Sequence, residues 1–135
     1  MNSIIEELKR KSDFFCEKGA SEEEIIDAEG ALRLSFADEY KEYLLQYGSV
    51  SCGGHELTGV SADECLDVVR VTIKNLQRNP NVKMPLYVVE ETHLDGIVIW
   101  QASTGEVFQS EYKEVPQKIF DSLFEYVATF SEPAR

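Results

Sequence analysis

Histidine and cysteine are scarce in this chain of 135 residues, which has two histidines and three cysteines. The cysteines, Cys16, Cys52 and Cys65, are odd in number and form no Cys-x-x-Cys pair. This pattern argues against a disulfide framework and against a zinc site built from several thiolates. We therefore predict no metal ion and no cofactor. Because a chain of this size buries roughly two-thirds of its unfolded surface, we expect it to fold without cross-links.

Long apolar runs are also missing. No stretch approaches the ~18–20 apolar residues that cross a bilayer, and the start, MNSIIEELKRKSDFF, lacks the basic-then-apolar order of a signal peptide. We therefore expect a cytoplasmic protein without a membrane partner. The length predicts a single domain over residues 1–135, and no repeat or Pro/Gly-rich linker interrupts it. We expect a monomer or a weak homodimer.

Positive charge is the third shortage. Thirteen lysines and arginines stand against 25 aspartates and glutamates, so the formal net charge is −12. This field repels DNA and RNA, and no basic stripe with interleaved aromatic residues offsets the repulsion. We therefore predict no direct nucleic-acid binding. The same field attracts a basic protein and speeds its association, although an acidic surface can also serve solubility alone.

The first part of the chain follows a helical period. Apolar residues recurring from Ile4 onward predict a helix over residues 4–18 that ends at Gly19. Ser21 followed by Glu24 is the signature of a capping box and predicts the start of a second helix.

An aromatic stripe follows in SFADEYKEYLLQYG. Ser35 fits the N-cap of a third helix and Gly48 fits the position after its end. The stripe consists of Phe36, Tyr40, Tyr43 and Tyr47. Because these rings share one helical face with apolar residues, we interpret the stripe as core and not as a ligand pocket.

The segment SVSCGGHELTGV contains too many glycines for a helix. It predicts a loop with a short extended piece around Glu56–Leu57. Ser61 with Glu64 then predicts the cap of a further helix, which buries Cys65 and ends before Pro80.

Beyond Pro80 the period becomes extended. LYVVEE, GIVIWQ and GEVFQSEY predict three strands, and Asp95–Gly96 is a hairpin-turn signal between the first two. Residues Gln117–Phe130 return to the helical period. Helices first, then a strand meander and a closing helix predict an α+β domain with helices packed on an antiparallel sheet.

Two clusters of the sequence contain side chains of the types that catalysis uses. Cys52 and His55 flank two glycines, and such a pair could act as nucleophile and base or as metal ligands, but the sequence offers no third group to orient the imidazole. Glu90, Glu91 and His93 lie near the hairpin turn, yet strand alternation sends the two glutamates to opposite faces. We therefore predict no catalytic residues and no enzyme activity, and interpret the second cluster as a solvated turn or an acidic edge.

The order of elements and several residues together resemble the SUKH superfamily. The resemblance is carried by SEEEIIDAEGALRLSFADEYKEYLLQYGSV, by DGIVIWQASTGEVFQSEY and by FDSLFEYVATF. The first segment resembles the family's acidic helix and its Leu-Pro-x-x-Tyr/Phe-Lys-x-Leu-Leu segment that ends in Tyr/Asn-Gly-Gly, with Phe36–Ala37 in place of Leu-Pro. The other two segments resemble its paired strands and its closing helix. The superfamily includes yeast cell-wall-synthesis regulators and many bacterial immunity proteins.

The resemblance implies an immunity protein, or antitoxin, that binds and blocks a cognate polymorphic toxin inside the producing cell. Many toxins of this group are nucleases, and a basic nuclease cleft suits an acidic partner. The residues that we expect to contact the toxin are Glu90, Glu91, Asp95, Glu111 and Glu114. Two alternatives are a regulatory interaction scaffold of the same superfamily and a small hydrolase that uses Cys52 and His55.

Overall fold

The computed structural model describes residues 3–131, which contain five helices and seven strands. In chain order these are α1 (Ile4–Lys9), β1 (Phe15–Lys18), α2 (Glu22–Leu32), α3 (Asp38–Gln46), β2 (Tyr47–Cys52), β3 (His55–Leu57), α4 (Val68–Arg78), β4 (Leu86–Glu91), β5 (Ile97–Ala102), β6 (Val107–Glu111), β7 (Gln117–Phe120) and α5 (Leu123–Val127).

The strands form two antiparallel sheets. The first has the order β1-β2-β3, and the second is a meander in the order β4-β5-β6-β7. The predicted α+β class, with helices at the N-terminal end, a strand meander and a closing helix, is confirmed. The division into two sheets was not anticipated, because β1 and β2 lie in segments that the sequence assigned to helix and loop. Within residues 3–131 no helix is both long and apolar enough to cross a bilayer.

The start of α2 forms as predicted. The Ser21 hydroxyl accepts a hydrogen bond from the Glu24 N–H at 3.1 Å, and the Glu24 carboxylate accepts one from the Ser21 N–H at 2.9 Å. Each side chain therefore satisfies a backbone donor that the helix leaves without an internal partner. The helix then buries Ile25 and Ala28 against the core.

The prediction of one helix over residues 4–18 is wrong in its second half. The helix α1 ends at Lys9, and Asp13 has a left-handed backbone with φ 54°. Residues Phe15–Lys18 instead form β1, which pairs with β2. The helical spacing of apolar residues was real, but backbone pairing with a distant strand decided the conformation.

The limits of the aromatic helix also differ from the prediction. Ser35 is not the N-cap, because α3 begins after Ala37, whose side chain makes no capping hydrogen bond. At the other end Tyr47 has an extended backbone (φ −130°) and enters β2 directly. Gly48 therefore lies inside a strand. The strand β2 replaces the first part of the predicted glycine-rich loop, and β3 contains the predicted extended piece.

The helix α4 starts later than predicted. Its N-cap is Asp67, whose carboxylate accepts from the Arg70 N–H at 3.4 Å, so Ser61 does not cap it. Cys65 precedes the helix and is exposed, which corrects its prediction as a core residue. The helix ends at Arg78, before Pro80 as predicted.

The C-terminal segment does not form a single helix over residues 117–130. Gln117–Phe120 pairs with β6 as β7, and only Leu123–Val127 is helical. Ser122 caps this short helix through the Glu125 N–H at 3.1 Å. The open edge of β6 explains the difference, since an extended segment there satisfies backbone groups that a helix would leave unpaired.

The aromatic stripe is core, as interpreted from the sequence. Its rings are Phe36, Tyr40, Tyr43 and Tyr47, and each is at most 5% exposed. Thr58 satisfies two of the buried hydroxyls: its side-chain oxygen lies 2.9 Å from the Tyr40 hydroxyl, and its carbonyl accepts from Tyr43 at 2.7 Å. Burial raises the pKa of Tyr43 well above its usual value.

We expect the Gly59→Ala substitution to disrupt this fold. A Cβ atom at position 59 would overlap the carbonyl oxygen of Gly48 in β2. The free energy of unfolding, measured by urea denaturation, should fall by more than about 3 kcal/mol. Gly30→Ala is the matched control, because nothing lies within 4 Å of its Cβ position and alanine stabilises a helix interior by roughly 0.5–1 kcal/mol. Equal stability of the two variants would contradict the expectation.

Candidate partner-binding site

A groove lies between α4 and the strands β5 and β6. The helix α4 packs on β4, and the adjoining part of the same sheet face forms the floor of the groove. The volume is about 760 Å³. We call it the α4 groove; its lining includes Asn75, Arg78, Val98, Trp100, Ser110 and Tyr112. Pockets of ~300–1,000 Å³ are typical of sites that bind ligands or inserted side chains.

The floor of the groove is apolar and rigidly held. Trp100 is fully buried below it, and its indole N–H donates to the Ser110 hydroxyl at 2.9 Å. Val98 lies two residues before Trp100, on the same face of β5, and is half-buried. The hydrogen bond to Ser110 fixes the orientation of the indole below the groove.

The β4–β5 turn closes one end of the groove in a left-handed conformation. His93, Asp95 and Gly96 all have positive φ, at 59°, 50° and 69°. The Thr92 hydroxyl supports the turn by donating to the Ile97 carbonyl at 2.8 Å. The predicted Asp95–Gly96 hairpin turn is therefore confirmed, and the left-handed backbone explains why aspartate and glycine occupy it.

Tyr112 lies beside this turn and is itself left-handed, with φ 52°. Its N–H donates to the Gly96 carbonyl at 2.9 Å. The ring lies so close to Gly96 that a Cβ atom there would overlap it, yet the side chain remains 68% exposed. A bulky residue with positive φ is uncommon and persists where the surroundings impose it.

Four of the five predicted contact residues lie at the end of the second sheet that adjoins the groove. We call this the acidic end, and it comprises Glu91, Asp95, Glu111 and Glu114. The strand register brings these residues to one end of the sheet, because Glu91 is opposite Val98 and Ile97 is opposite Glu111. The side chain of Asn79, the residue that follows α4, donates to the Glu114 carbonyl at 2.9 Å and holds that loop against the end of the helix.

The carboxylates of the acidic end differ in their availability. Glu91 lines the groove but is bound by Lys74 at 3.0 Å and by the Asn75 amide at 2.8 Å. Asp95, Glu111 and Glu114 are exposed. Within residues 3–131 none of these three carboxylates forms an ion pair. They therefore contribute their full charge to the surface field.

Glu90 is not at the surface, which corrects the expectation that it lies on an exposed edge. It is 3% exposed, and its carboxylate accepts a hydrogen bond from the Tyr126 hydroxyl. A β-bulge between Val88 and Glu90 is the reason. The bulge turns Val89 and Glu90 to the same side and returns Glu91 to the face of α4. The prediction that Glu90 and Glu91 face opposite sides of the sheet is confirmed, and Glu90 is the one whose side chain is buried.

Glu90 orients the His55 imidazole, and it is therefore the third group that could not be identified from the sequence. The Nδ1 atom of His55 lies 3.0 Å from both carboxylate oxygens of Glu90. The imidazole also stacks on the Phe130 ring, with centroids 3.6 Å apart and an interplanar angle of 4°. This arrangement connects β3, β4 and the segment just after α5, which contains Phe130.

Cys52 pairs in register with His55, but no hydrogen bond joins these two described side chains. Burial raises the pKa of the Cys52 thiol to about 11, and the nearby Glu90 carboxylate adds to this effect. A thiol with a raised pKa is a poor nucleophile at neutral pH. Among residues 3–131, no three His, Cys, Asp or Glu side chains come together to hold a metal ion.

The groove itself was missed by sequence reasoning. Trp100 and Val98 were assigned to a strand, and Arg78 to the end of a helix, with no indication that they meet. One signal was available, since Tyr112 is an aromatic residue among the charged residues Glu111 and Lys113. An isolated aromatic residue in such a context does not reveal which surface it joins.

We expect the Tyr126 hydroxyl to stabilise the fold through Glu90. Tyr126→Phe removes a hydrogen bond to a buried carboxylate and should lower the free energy of unfolding by about 1–3 kcal/mol. Tyr112→Phe removes an exposed hydroxyl and should change it by less than about 0.5 kcal/mol. Thermal and urea denaturation measure both variants. A fully stable Tyr126→Phe protein would show that the carboxylate does not depend on this donor.

Comparison with known proteins agrees with this architecture. A family model described as SUKH_5, SMI1-KNR4 cell-wall, matches residues 1–130, which include both sheets and all five described helices. A comparison with curated proteins gave no match. The resemblance noted in the sequence is thereby confirmed. The chain belongs to the SMI1-KNR4 family of the SUKH superfamily.

Proposed function

We propose that the protein is an immunity protein, which binds a cognate polymorphic toxin in the cytoplasm and blocks it without catalysis. The observation that carries the proposal is the acidic end of the second sheet, where three exposed acidic residues are next in sequence to residues that line an apolar groove. Membership of the SUKH superfamily supports a role in protein binding. The net charge of −12 favours a basic partner, such as a nuclease whose cleft binds phosphates.

The layout of this surface suits a protein interface. Specific interfaces combine an apolar centre, from which charged residues are depleted, with a polar rim. Here Val98 and Tyr112 supply apolar surface in the groove, and Asp95 and Glu114 flank it. Rim charges act mainly on the rate of encounter, which electrostatic steering can raise to ~10⁸–10⁹ M⁻¹s⁻¹ at low salt. Fast capture protects a cell whose own nucleic acid is the substrate of the toxin.

Co-expression tests the proposal directly. We expect cells that express the toxin domain encoded by the adjacent gene to survive when this protein is co-expressed, and the two proteins to form a complex in titration calorimetry. Cys52→Ala should protect equally well, because a binding protein does not use the thiol. Unchanged cell death without a complex would refute the immunity role. An adjacent gene without a toxin domain would favour a regulatory scaffold.

The kinetics of association test the acidic end. The triple variant Asp95→Lys, Glu111→Lys, Glu114→Lys should slow association with the toxin domain by at least about tenfold at low salt and flatten its salt dependence. Stopped-flow fluorescence measures both effects.

The control for this variant reverses three exposed carboxylates on α2 and α3, namely Glu23, Asp27 and Glu42. Both variants change the net charge equally, so a larger effect at the acidic end reports location and not total charge. Equal rates for the two triple variants would exclude this end of the sheet as the binding face.

A further inference from the structure

We propose that the α4 groove anchors one segment of the partner, in which a large apolar side chain stands next to a carboxylate. This inference rests on the proposed function and adds the chemistry of the contact to it. It follows from three features of the groove: its apolar floor, the exposed and strained Tyr112, and the sign of the charges inside it.

The apolar surface of the groove is partly open to water. Val98 is half-buried, and the Tyr112 ring remains 68% exposed. Trp100 below them is fixed by Ser110, so the floor does not need to rearrange when an apolar side chain enters. Covering this surface releases water from apolar groups, which favours association. Aromatic residues at the centre of an interface, such as tyrosine, often carry much of its binding energy.

The Tyr112 side chain is already positioned for this contact before the partner binds. The backbone of this residue is left-handed. The hydrogen bond from its N–H to the Gly96 carbonyl and the contact of its ring with Gly96 maintain this conformation. Strained residues of this kind concentrate at functional sites. A side chain that is already in place loses little conformational freedom when the partner binds.

The charges inside the groove are opposite in sign to those around it. Arg78 and Lys113 line the groove, and neither forms an ion pair with any other residue from 3 to 131. The carboxylate of Glu91 also lines it but is already bound by Lys74 and Asn75. A carboxylate that enters the groove therefore finds available cations, and the Arg78 guanidinium can bind it through two parallel hydrogen bonds.

The surrounding field indicates that this carboxylate is part of a protein. Asp95, Glu111 and Glu114 are next in sequence to residues that line the groove, and the whole chain carries −12. A free organic acid would be repelled as it approached. A carboxylate on a basic protein is brought in by the attraction of its neighbours, and the reversal of charge inside the groove then fixes the register of the complex.

Dissociation rates test the inference. With the toxin domain encoded by the adjacent gene, Tyr112→Asn and Arg78→Gln should each raise the dissociation rate by about tenfold or more, with association rates within about twofold of the original. Asparagine tolerates a positive φ, so Tyr112→Asn keeps the local backbone. Unchanged dissociation rates in a complex that still forms would overturn the groove inference and leave the immunity role intact.

Two matched controls distinguish the groove from the general surface. Phe15→Ala removes an aromatic side chain of β1 that is equally exposed, at 68%. Arg70→Gln removes an exposed arginine from the other end of α4, where it pairs with Glu64. Both should leave the dissociation rate unchanged, and a tenfold rise in either would overturn the assignment to the groove.

A second measurement does not require the toxin. Trp100 is the only tryptophan of the chain, so its indole N–H resonance reports on the groove without ambiguity. The peptide acetyl-Lys-Phe-Glu-Lys-amide, whose two lysines give it a net positive charge, should shift this resonance in a saturable way and bind at least about threefold more tightly than acetyl-Lys-Phe-Gln-Lys-amide. No shift, equal affinities, or tighter binding of free 3-phenylpropionate would each overturn the inference, whatever the outcome with the toxin.

Discussion

The structure depends on the close crossing of backbones at Thr58 and Gly59. The Thr58 N–H donates to the Val89 carbonyl at 2.9 Å, and its hydroxyl donates to the Val88 carbonyl at 2.7 Å. These bonds join the end of β3 to β4 and thus connect the two sheets. Gly59 passes against Gly48 of β2 at a distance that excludes any side chain. The crossing is buried, so each polar group there requires a partner within the protein.

The position of α4 and the groove beside it follow from this crossing. Gly59 also bonds to the first residue of α4, since its carbonyl accepts from the Val68 N–H at 2.8 Å. This hydrogen bond places the start of α4 close to β4. The Thr72 hydroxyl accepts a hydrogen bond from the Val88 N–H at 2.9 Å and fixes the position of α4 along that strand. With α4 held on β4, the strands β5 and β6 remain open beside it. The groove is therefore a consequence of how the two sheets are joined.

The acidic residues of the hairpin illustrate what strand alternation can and cannot predict. Alternation separated Glu90 from Glu91 correctly, because successive side chains of a strand face opposite sides. It did not reveal which of the two is buried, since a bulge at Val88–Glu90 turns Glu90 toward His55 and Tyr126. A bulge depends on the partner strand and leaves little trace in the strand's own residues. Asp95 was easier to place, because a turn residue with positive φ has a distinct local preference.

The sequence by itself determined the features that arise from neighbouring residues. The capping box at Ser21, the strands β4 to β6, the turn at Asp95–Gly96 and the buried aromatic stripe all follow from local preference or periodicity. The acidic character of the surface also follows, because it is a sum over the composition. These features do not depend on where distant segments lie.

Only the tertiary structure decided the remainder. The segments Phe15–Lys18 and Gln117–Phe120 have helical spacing but become strands, because β2 and β6 offer them backbone hydrogen bonds. The α4 groove likewise joins Arg78, Trp100 and Tyr112 from three separate parts of the chain. Pairing and packing between distant segments outweigh local propensities of a few tenths of a kcal/mol per residue, and no periodicity in the sequence records which segments will meet.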